Sequence, residues 1–178
     1  RGDLLPTPFR CDASGPVVYC DSETDAAVQR KRLCRVAAGL GLSQLPNVRY
    51  IHVEPPFTNQ APHIRSEIAR LGAVLFVLDS LTFGAGGNLN DSEVSIPTMN
   101  AAGEMGAECT KLLIAHHGKA GRGDGATPSV IGSAAFEFKA RNLWLIRVES
   151  EEGLPYLTQA WKHRYASDSG LQKGFGLR

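Results

Sequence analysis

The sequence lacks the features that would assign the protein to a membrane, a secreted or a zinc-binding class. No apolar run approaches the roughly 18 residues that a membrane-spanning helix needs, and residues 1–10 lack the apolar core of a secretory signal. The 4 cysteines show neither C-x-x-C spacing nor a paired histidine motif, and no internal repeat or low-complexity segment is present. We therefore expect a cytoplasmic protein with reduced thiols and no membrane contact.

Neither acidic nor basic residues dominate the composition. Lys and Arg total 19 against 18 for Asp and Glu, which gives a formal net charge of +1. This balance neither suggests nor excludes nucleic acid, because a local basic patch is enough for binding. With 178 residues, of which 43% are hydrophobic, the chain can bury a sizeable core, so we predict a single domain over residues 1–178.

Strand-like and helix-like patterns alternate over the first two thirds of the chain. Strands are predicted at 17–20, 48–53, 73–78 and 109–119, the last two as buried strands, with helices between them at about 26–40, 61–71 and 90–107. Further strands at 142–148 and 155–164 form a hairpin, and GFGLR closes the chain as an edge strand. This order predicts an α/β fold, with a mainly parallel sheet flanked by helices and antiparallel strands at the C-terminus.

The first predicted helix combines an apolar stripe with a polar face. The stripe consists of Val28, Leu33, Val36, Ala37 and Leu40. Such spacing is typical of the side of a helix that packs on a sheet. The other side carries Gln29 and four Lys or Arg residues, which face solvent or a partner, and we interpret this face as solvated.

Polar residues of the kinds that phosphate chemistry uses follow three of the predicted strands. Glu23 follows the first strand, Asp79 the third, and His116 with His117 the fourth. Because the carboxyl ends of parallel strands lie along one edge of a sheet, we expect these residues to converge. One carboxylate there can hold the water shell of Mg²⁺, another can orient an attacking water, and a histidine can sense a phosphate. Taken singly, each residue has a structural alternative, as a helix cap, a solvated side chain or a core histidine.

These segments resemble the RecA-type ATPase core of hexameric helicases, in the DnaB and plasmid RepA branch. PVVYCDSE resembles the strand that delivers the catalytic glutamate, which implies that role for Glu23. VLFVLDSL resembles the Walker B strand, which implies that Asp79 serves Mg²⁺ and ATP with Ser80 beside it. LLIAHHGK resembles the strand that ends in the family's sensor residue, and His117 matches that position best.

The resemblance extends to the later part of the chain. AWKHR resembles the K-x-R strand whose basic residues reach the nucleotide of the neighbouring subunit, which implies that Lys162 and Arg164 act in trans within a hexameric ring. The loop 118–130 matches a channel loop of the family, which makes Lys119 and Arg122 candidate contacts to the phosphates of single-stranded DNA. Simple loop solubility is the alternative for these last two residues.

Two departures from the family pattern bear on the mechanism. The sequence has no P-loop motif G-x-x-x-x-G-K-S/T, in which backbone N–H groups and a lysine cradle the phosphates, and the pair Gly118-Lys119 does not fit it. In the family the P-loop precedes the first strand seen here, so we expect a partial chain, with a degenerate paralogue that hydrolyses nothing as the alternative. Ile131 stands where the family often carries an arginine, which leaves the finger role to Arg164.

The sequence therefore predicts an ATP-driven, ring-forming DNA helicase core of a replication system, with ATP and Mg²⁺ as cofactors. A RecA-type recombinase or regulatory ATPase is the first alternative. A non-hydrolysing interaction module that assembles with active relatives is the second.

Overall fold

Short apolar and β-branched runs form a parallel sheet in the first part of the chain. The computed structural model describes residues 14–116, 139–148, 155–163 and 175–176. Within residues 14–116, four strands alternate with helices, as the sequence pattern predicts. The strands are β1 (Val17–Asp21), β2 (Val48–His52), β3 (Leu75–Asp79) and β4 (Thr110–Ile114).

Helices connect each of these strands to the next. They are α1 (Ala26–Gly39), α2 (Ala61–Leu71), α3 (Leu81–Gly84) and α4 (Ser92–Gly103), with a 3₁₀ turn at Phe57–Asn59 before α2. Asp25 caps α1, because its carboxylate accepts a hydrogen bond of 2.8 Å from the backbone N–H of Val28. Gly72 ends α2 in the left-handed conformation, with φ at 60°.

The order of the strands determines where the helices lie. The sheet runs β2-β1-β3-β4, and every neighbouring pair is parallel. The chain passes from β1 outward to β2, then returns beyond β1 to β3 and continues to β4. Right-handed crossovers therefore place α1 on one face of the sheet and α2 with α4 on the other.

The hydrophobic core lies mainly on the face that α2 and α4 cover. β1 and β3 contribute alternate side chains to it, such as Val18, Phe76 and Leu78, all with no exposed surface. The buried members of the core are Val18, Cys20, Val53, Phe57, Ala61, Ile64, Ile68, Ala73, Phe76, Leu78, Leu81, Ala85, Leu89, Met99, Ala102, Met105 and Cys109. This packing fixes β1 and β3 side by side and thereby the positions of the loops that follow them.

The opposite face of the sheet corrects two sequence interpretations. The apolar stripe of α1 is only partly buried, since Val36 is 59% exposed, whereas Gln29 of the polar face is buried. The prediction of a buried strand at 109–119 is also wrong for β4, where Leu112 and Ile114 are exposed. The physical reason is that β4 pairs only with β3 in the part of the chain that the structure describes.

The described strands nearer the C-terminus form a sheet of their own. They are β5 (Asn142–Val148), β6 (Pro155–His163) and β7 (Phe175–Gly176), antiparallel and ordered β5-β6-β7. The parallel and the antiparallel strands belong to different compact units of the chain. The single domain over residues 1–178, and the joining of the two sheets, stay predictions.

Two observations concern the expected cell compartment. Over the described residues, no helix combines the length and the apolar character that a membrane crossing requires. The three cysteines among those residues, Cys20, Cys34 and Cys109, are free thiols. Burial raises the pKa of the Cys20 thiol to about 12, so this group packs as a small apolar side chain.

Candidate functional site

The loops after β1 and β3 lie on either side of the point where the direction of the sheet reverses. β1 is followed in sequence by β2 on one side and is flanked by β3 on the other. Crevices at such a switch point, outside the carboxyl ends of the strands, are where open α/β sheets bind their ligands. The register pairs Asp21 with Asp79, so the last residues of both strands are carboxylates that adjoin this point.

Asp79 ends β3 and is held by a tyrosine of the neighbouring strand. The Tyr19 hydroxyl donates a hydrogen bond of 2.5 Å to Asp79 Oδ2, whereas Oδ1 has no hydrogen-bond partner among the described residues. Burial and then this contact raise the pKa of Tyr19, so the phenol remains a donor to the carboxylate. Asp79 therefore keeps one oxygen fixed against the protein and one available to a ligand.

Ser80 has a structural contact of its own. It is fully buried, and its Oγ lies 3.4 Å from the backbone nitrogen of Phe83, which makes it the N-cap of α3. This contact orients the chain directly after Asp79. A cofactor-binding role for Ser80 stays a prediction.

A buried carboxylate organises the loop after β1. Asp21 is 1% exposed, and its Oδ1 accepts hydrogen bonds from the backbone N–H groups of Glu23 (2.8 Å) and Thr24 (2.9 Å). The resulting turn presents Glu23 outward, while the backbone N–H of Ser22 donates to the carbonyl of Asp79 at 2.9 Å. The loop that carries Glu23 is thus joined directly to the end of β3.

His116 completes the arrangement from β4. Its Nε2 lies 3.4 Å from Glu23 Oε1, its backbone N–H donates to Thr82 Oγ1 at 3.2 Å, and its ring meets that of Phe83 edge to face. β4 is two strands away from β1, or roughly 9–10 Å at the usual strand spacing. The contact between Glu23 and His116 therefore spans the end of β3, where Asp79 lies.

The structure brings some predicted site residues together and leaves others outside its description. Glu23, Asp79 and His116 share the carboxyl edge of the parallel sheet. Lys162 lies in β6, where it pairs with Leu143, and it belongs to the other compact unit. The remaining candidates, His117, Lys119, Arg122 and Arg164, lie outside the described residues.

Sequence reasoning missed the two residues that position the carboxylates. The sequence predicts an acidic turn after the first strand but no particular role for Asp21. An aspartate that accepts N–H groups two and three residues ahead is nevertheless a recurrent turn motif, and D-S-E-T carries that signal. Tyr19 carries no such signal. Its contact with Asp79 depends on the register between β1 and β3, which the sequence alone does not reveal.

The carboxylates at this edge of the sheet offer oxygen ligands of the kind that a magnesium ion takes. The described residues contain no group of three or more His, Cys, Asp or Glu side chains that could hold a metal. Mg²⁺ usually takes only one or two protein carboxylates and keeps several waters or phosphate oxygens. Asp79, with one unpartnered oxygen at the switch point, fits that mode. Asp21 Oδ2 also lacks a partner and is buried close by.

Comparison with known proteins identifies the class of fold. No protein-family model matches the chain, and no curated protein matches it. Its parallel sheet and flanking helices form a RecA-like α/β fold, which confirms the predicted fold class. A solved structure that is similar is that of a KaiC-like protein from the hyperthermophilic archaeon Pyrococcus horikoshii OT3. The similarity has a TM-score of 0.58 at 18% identity, over 91% of this chain and 70% of that chain.

Proposed function

We propose that the protein is the RecA-type ATPase core of a ring-forming DNA helicase of a replication system. The observation that carries the proposal is the contact between Glu23 and His116, which closes over the end of β3 and its Asp79. A carboxylate to orient water, a carboxylate for a cation and a histidine thus meet at the ligand-binding edge of a RecA-like sheet. The RecA-like fold supports the same class of activity.

Asp79 and Glu23 take different roles because their surroundings differ. Asp79 is half-buried and fixed by Tyr19, so its free Oδ1 is suited to hold Mg²⁺ through direct or water-mediated contact. When bound, Mg²⁺ supplies charge neutralisation for the β- and γ-phosphates of ATP. Glu23 is exposed at the tip of its turn, so its carboxylate can accept a proton from, and orient, an attacking water.

His116 and His117 connect this site to the loop after β4. In the structure His116 holds the Glu23 carboxylate at 3.4 Å, and Thr82 fixes the backbone of His116. We assign the phosphate-sensing role to His117, the next residue along the chain. A change at the phosphate would then act on Glu23 through its neighbour His116 and on the DNA-contacting residues Lys119 and Arg122.

The ring gives the C-terminal strand its role. We propose that Lys162 and Arg164 reach the nucleotide of the adjacent subunit in a hexamer, as the K-x-R resemblance implies. An arginine that acts in this way contributes roughly 10³- to 10⁵-fold to turnover. Hydrolysis would therefore depend on assembly, and single-stranded DNA would pass along the loops that carry Lys119 and Arg122.

The test measures ATP binding and hydrolysis by the gene product that contains these 178 residues. Glu23→Gln should lower kcat by about 10²- to 10⁴-fold, since it removes the water-orienting carboxylate, and should leave the Kd for Mg·ATP unchanged. Asp79→Asn should weaken binding of Mg·ATP instead. Glu108→Gln, an exposed change directly before β4 and so at the opposite edge of the sheet, is the matched control.

Unchanged hydrolysis in Glu23→Gln would overturn the proposal, as would the absence of ATP binding in the unaltered gene product. Strand displacement separates a helicase from its nearest alternative. Rings that hydrolyse ATP on single-stranded DNA without unwinding a duplex would be a recombinase or a regulatory ATPase.

A further inference from the structure

The outward face of α1 concentrates positive charge. The helix reads AAVQRKRLCRVAAG, with four cations and no acidic residue, against a net charge of +1 for the whole chain. The rest of the chain therefore has a net charge of −3. All four cations are exposed, namely Arg30, Lys31, Arg32 and Arg35.

The position of these cations follows from helical geometry. Gln29 and Ala37 are the buried residues of α1 and mark its inward side. Lys31 and Arg35 lie on the opposite side, and because they are four residues apart they form one row, about 6 Å apart along the axis. The small residues Ala27 and Ala38 flank that row, so a long polymer can approach the helix closely.

The other cations within residues 14–116 have partners within the protein, and those of α1 contrast with them. Arg49 and Arg70 both pair with Glu67, at 3.2 and 2.9 Å, and Arg65 pairs with Glu104 at 2.8 Å. In α1, Arg32 contacts only neutral oxygens of Thr24 and Gln29, at 3.4 Å each.

The three remaining cations of α1 lack even such contacts. Arg30, Lys31 and Arg35 have no ion pair or hydrogen bond within the described residues. Their charge is therefore available to a partner. Asp25, the N-cap, is the acidic group nearest in sequence, and its carboxylate already accepts the Val28 N–H.

We propose that this outward face of α1 is a binding surface for the phosphate backbone of nucleic acid, with Lys31 and Arg35 as its central contacts. Exposed Lys and Arg suffice for phosphate contacts, which need no apolar anchor. A protein partner would instead call for an aromatic or large apolar anchor, and α1 contains no aromatic residue. Val28, Val36 and Leu40 are exposed too, and Val28 adjoins the row of Lys31 and Arg35, but none of the three is an aromatic anchor.

This surface is separate from the proposed ATPase site, and its test needs no hydrolysis. Fluorescence anisotropy would follow a labelled single-stranded oligonucleotide, and a duplex of the same sequence, bound to the protein over a series of salt concentrations. The test variant combines Lys31→Gln with Arg35→Gln, which keeps helix propensity because Gln ranks close to Lys and Arg. The control combines Ser66→Glu with Asn100→Glu, which changes the net charge equally at exposed sites on α2 and α4.

The salt dependence of binding sets the expected magnitude of the effect. Each phosphate contact contributes about 0.7 to the slope of log K against log salt for single strands, and about 0.9 for duplex. Loss of two contacts should make the slope shallower by about 1.4 for the single strand or by about 1.8 for the duplex. The oligonucleotide whose slope changes by the larger share shows which form of nucleic acid is bound. The control should keep the original slope.

Three outcomes would overturn the proposal. The first is an unaltered protein that binds neither oligonucleotide, and the second is an equal change of slope in the test variant and the control. The third is displacement of the oligonucleotide by poly-glutamate at an equal concentration of charge, because the surface would then be one for acidic proteins.

Discussion

Replacing Asp21 perturbs the loop that carries Glu23 without touching Glu23 itself. The carboxylate is 1% exposed and holds the backbone N–H groups of Glu23 and Thr24 at 2.8 and 2.9 Å. Asp21→Ala removes Oδ1, the one oxygen that accepts both of these hydrogen bonds. Asp21→Asn keeps an oxygen at the position of Oδ1 and removes only the charge.

The size of the effect follows from the kind of hydrogen bond. Bonds to a charged acceptor contribute about 1.5–3 kcal/mol each, and neutral ones about 0.5–1.5 kcal/mol. Loss of the acceptor in Asp21→Ala should therefore lower local protection by about 1.5–3 kcal/mol, which corresponds to amide exchange roughly 10- to 150-fold faster. Asp21→Asn should lose about 1 kcal/mol, or roughly a fivefold change.

Hydrogen exchange followed by NMR measures this directly at the amides of Glu23 and Thr24. The amide of Val28, which donates to Asp25 at 2.8 Å, serves as the internal control because its acceptor is untouched. We expect the protection of these two amides to decrease from wild type to Asp21→Asn and further to Asp21→Ala. Glu23 and Thr24 amides that exchange as slowly in Asp21→Ala as in the wild type would refute the role given to Asp21.

Two further predictions concern the stability of the parallel unit. Gly86→Ala should lower the free energy of unfolding by more than the roughly 1–2 kcal/mol cost of the left-handed conformation. The reason is that φ is +70° and that a Cβ would also lie 2.9 Å from the backbone of Pro56. Gly103→Ala is the control, because a Cβ there meets nothing within 4 Å, and a urea midpoint of Gly86→Ala no lower than that of the control would contradict the prediction. A hydrogen bond from Arg70, also on α2, lowers the pKa of Glu67 to about 2 from an ordinary 4.5. The stabilisation that the Glu67 carboxylate contributes to the folded protein is therefore fully present above pH 4.5 and is lost as the pH falls through about 2. The difference in urea midpoint between wild type and Glu67→Gln should shrink over that range of pH.

Most of the fold could be predicted because local patterns determine it. Apolar runs bounded by turns give the four parallel strands to within a few residues, and α2 begins and ends where its pattern indicates. Alternation of strands and helices then leaves few topologies, since parallel crossovers are right-handed. The convergence of Glu23 and Asp79 on one edge follows from that topology and from the short loops that carry them.

The details of the site could not be predicted because they depend on register and on through-space contacts. The contact of His116 with Glu23 depends on where β4 ends, since His116 lies two residues beyond Ile114. The hold of Tyr19 on Asp79 depends on a pairing between strands that are far apart in sequence. Neither leaves a signal in spacing or composition.

The exposed side of β4 shows that the burial of a strand, too, depends on contacts that its own sequence does not reveal. A run such as LLIA identifies side chains that gain by burial, but it does not say what covers them. In β4, Leu113 packs against the core, whereas Leu112 and Ile114 are 49% and 38% exposed. The helix α1 contacts β2, at the other end of the sheet order, and so leaves these two side chains uncovered. Burial is thus a property of neighbours. The strand was predicted correctly from its own residues, and its environment was wrong because that depends on other parts of the protein.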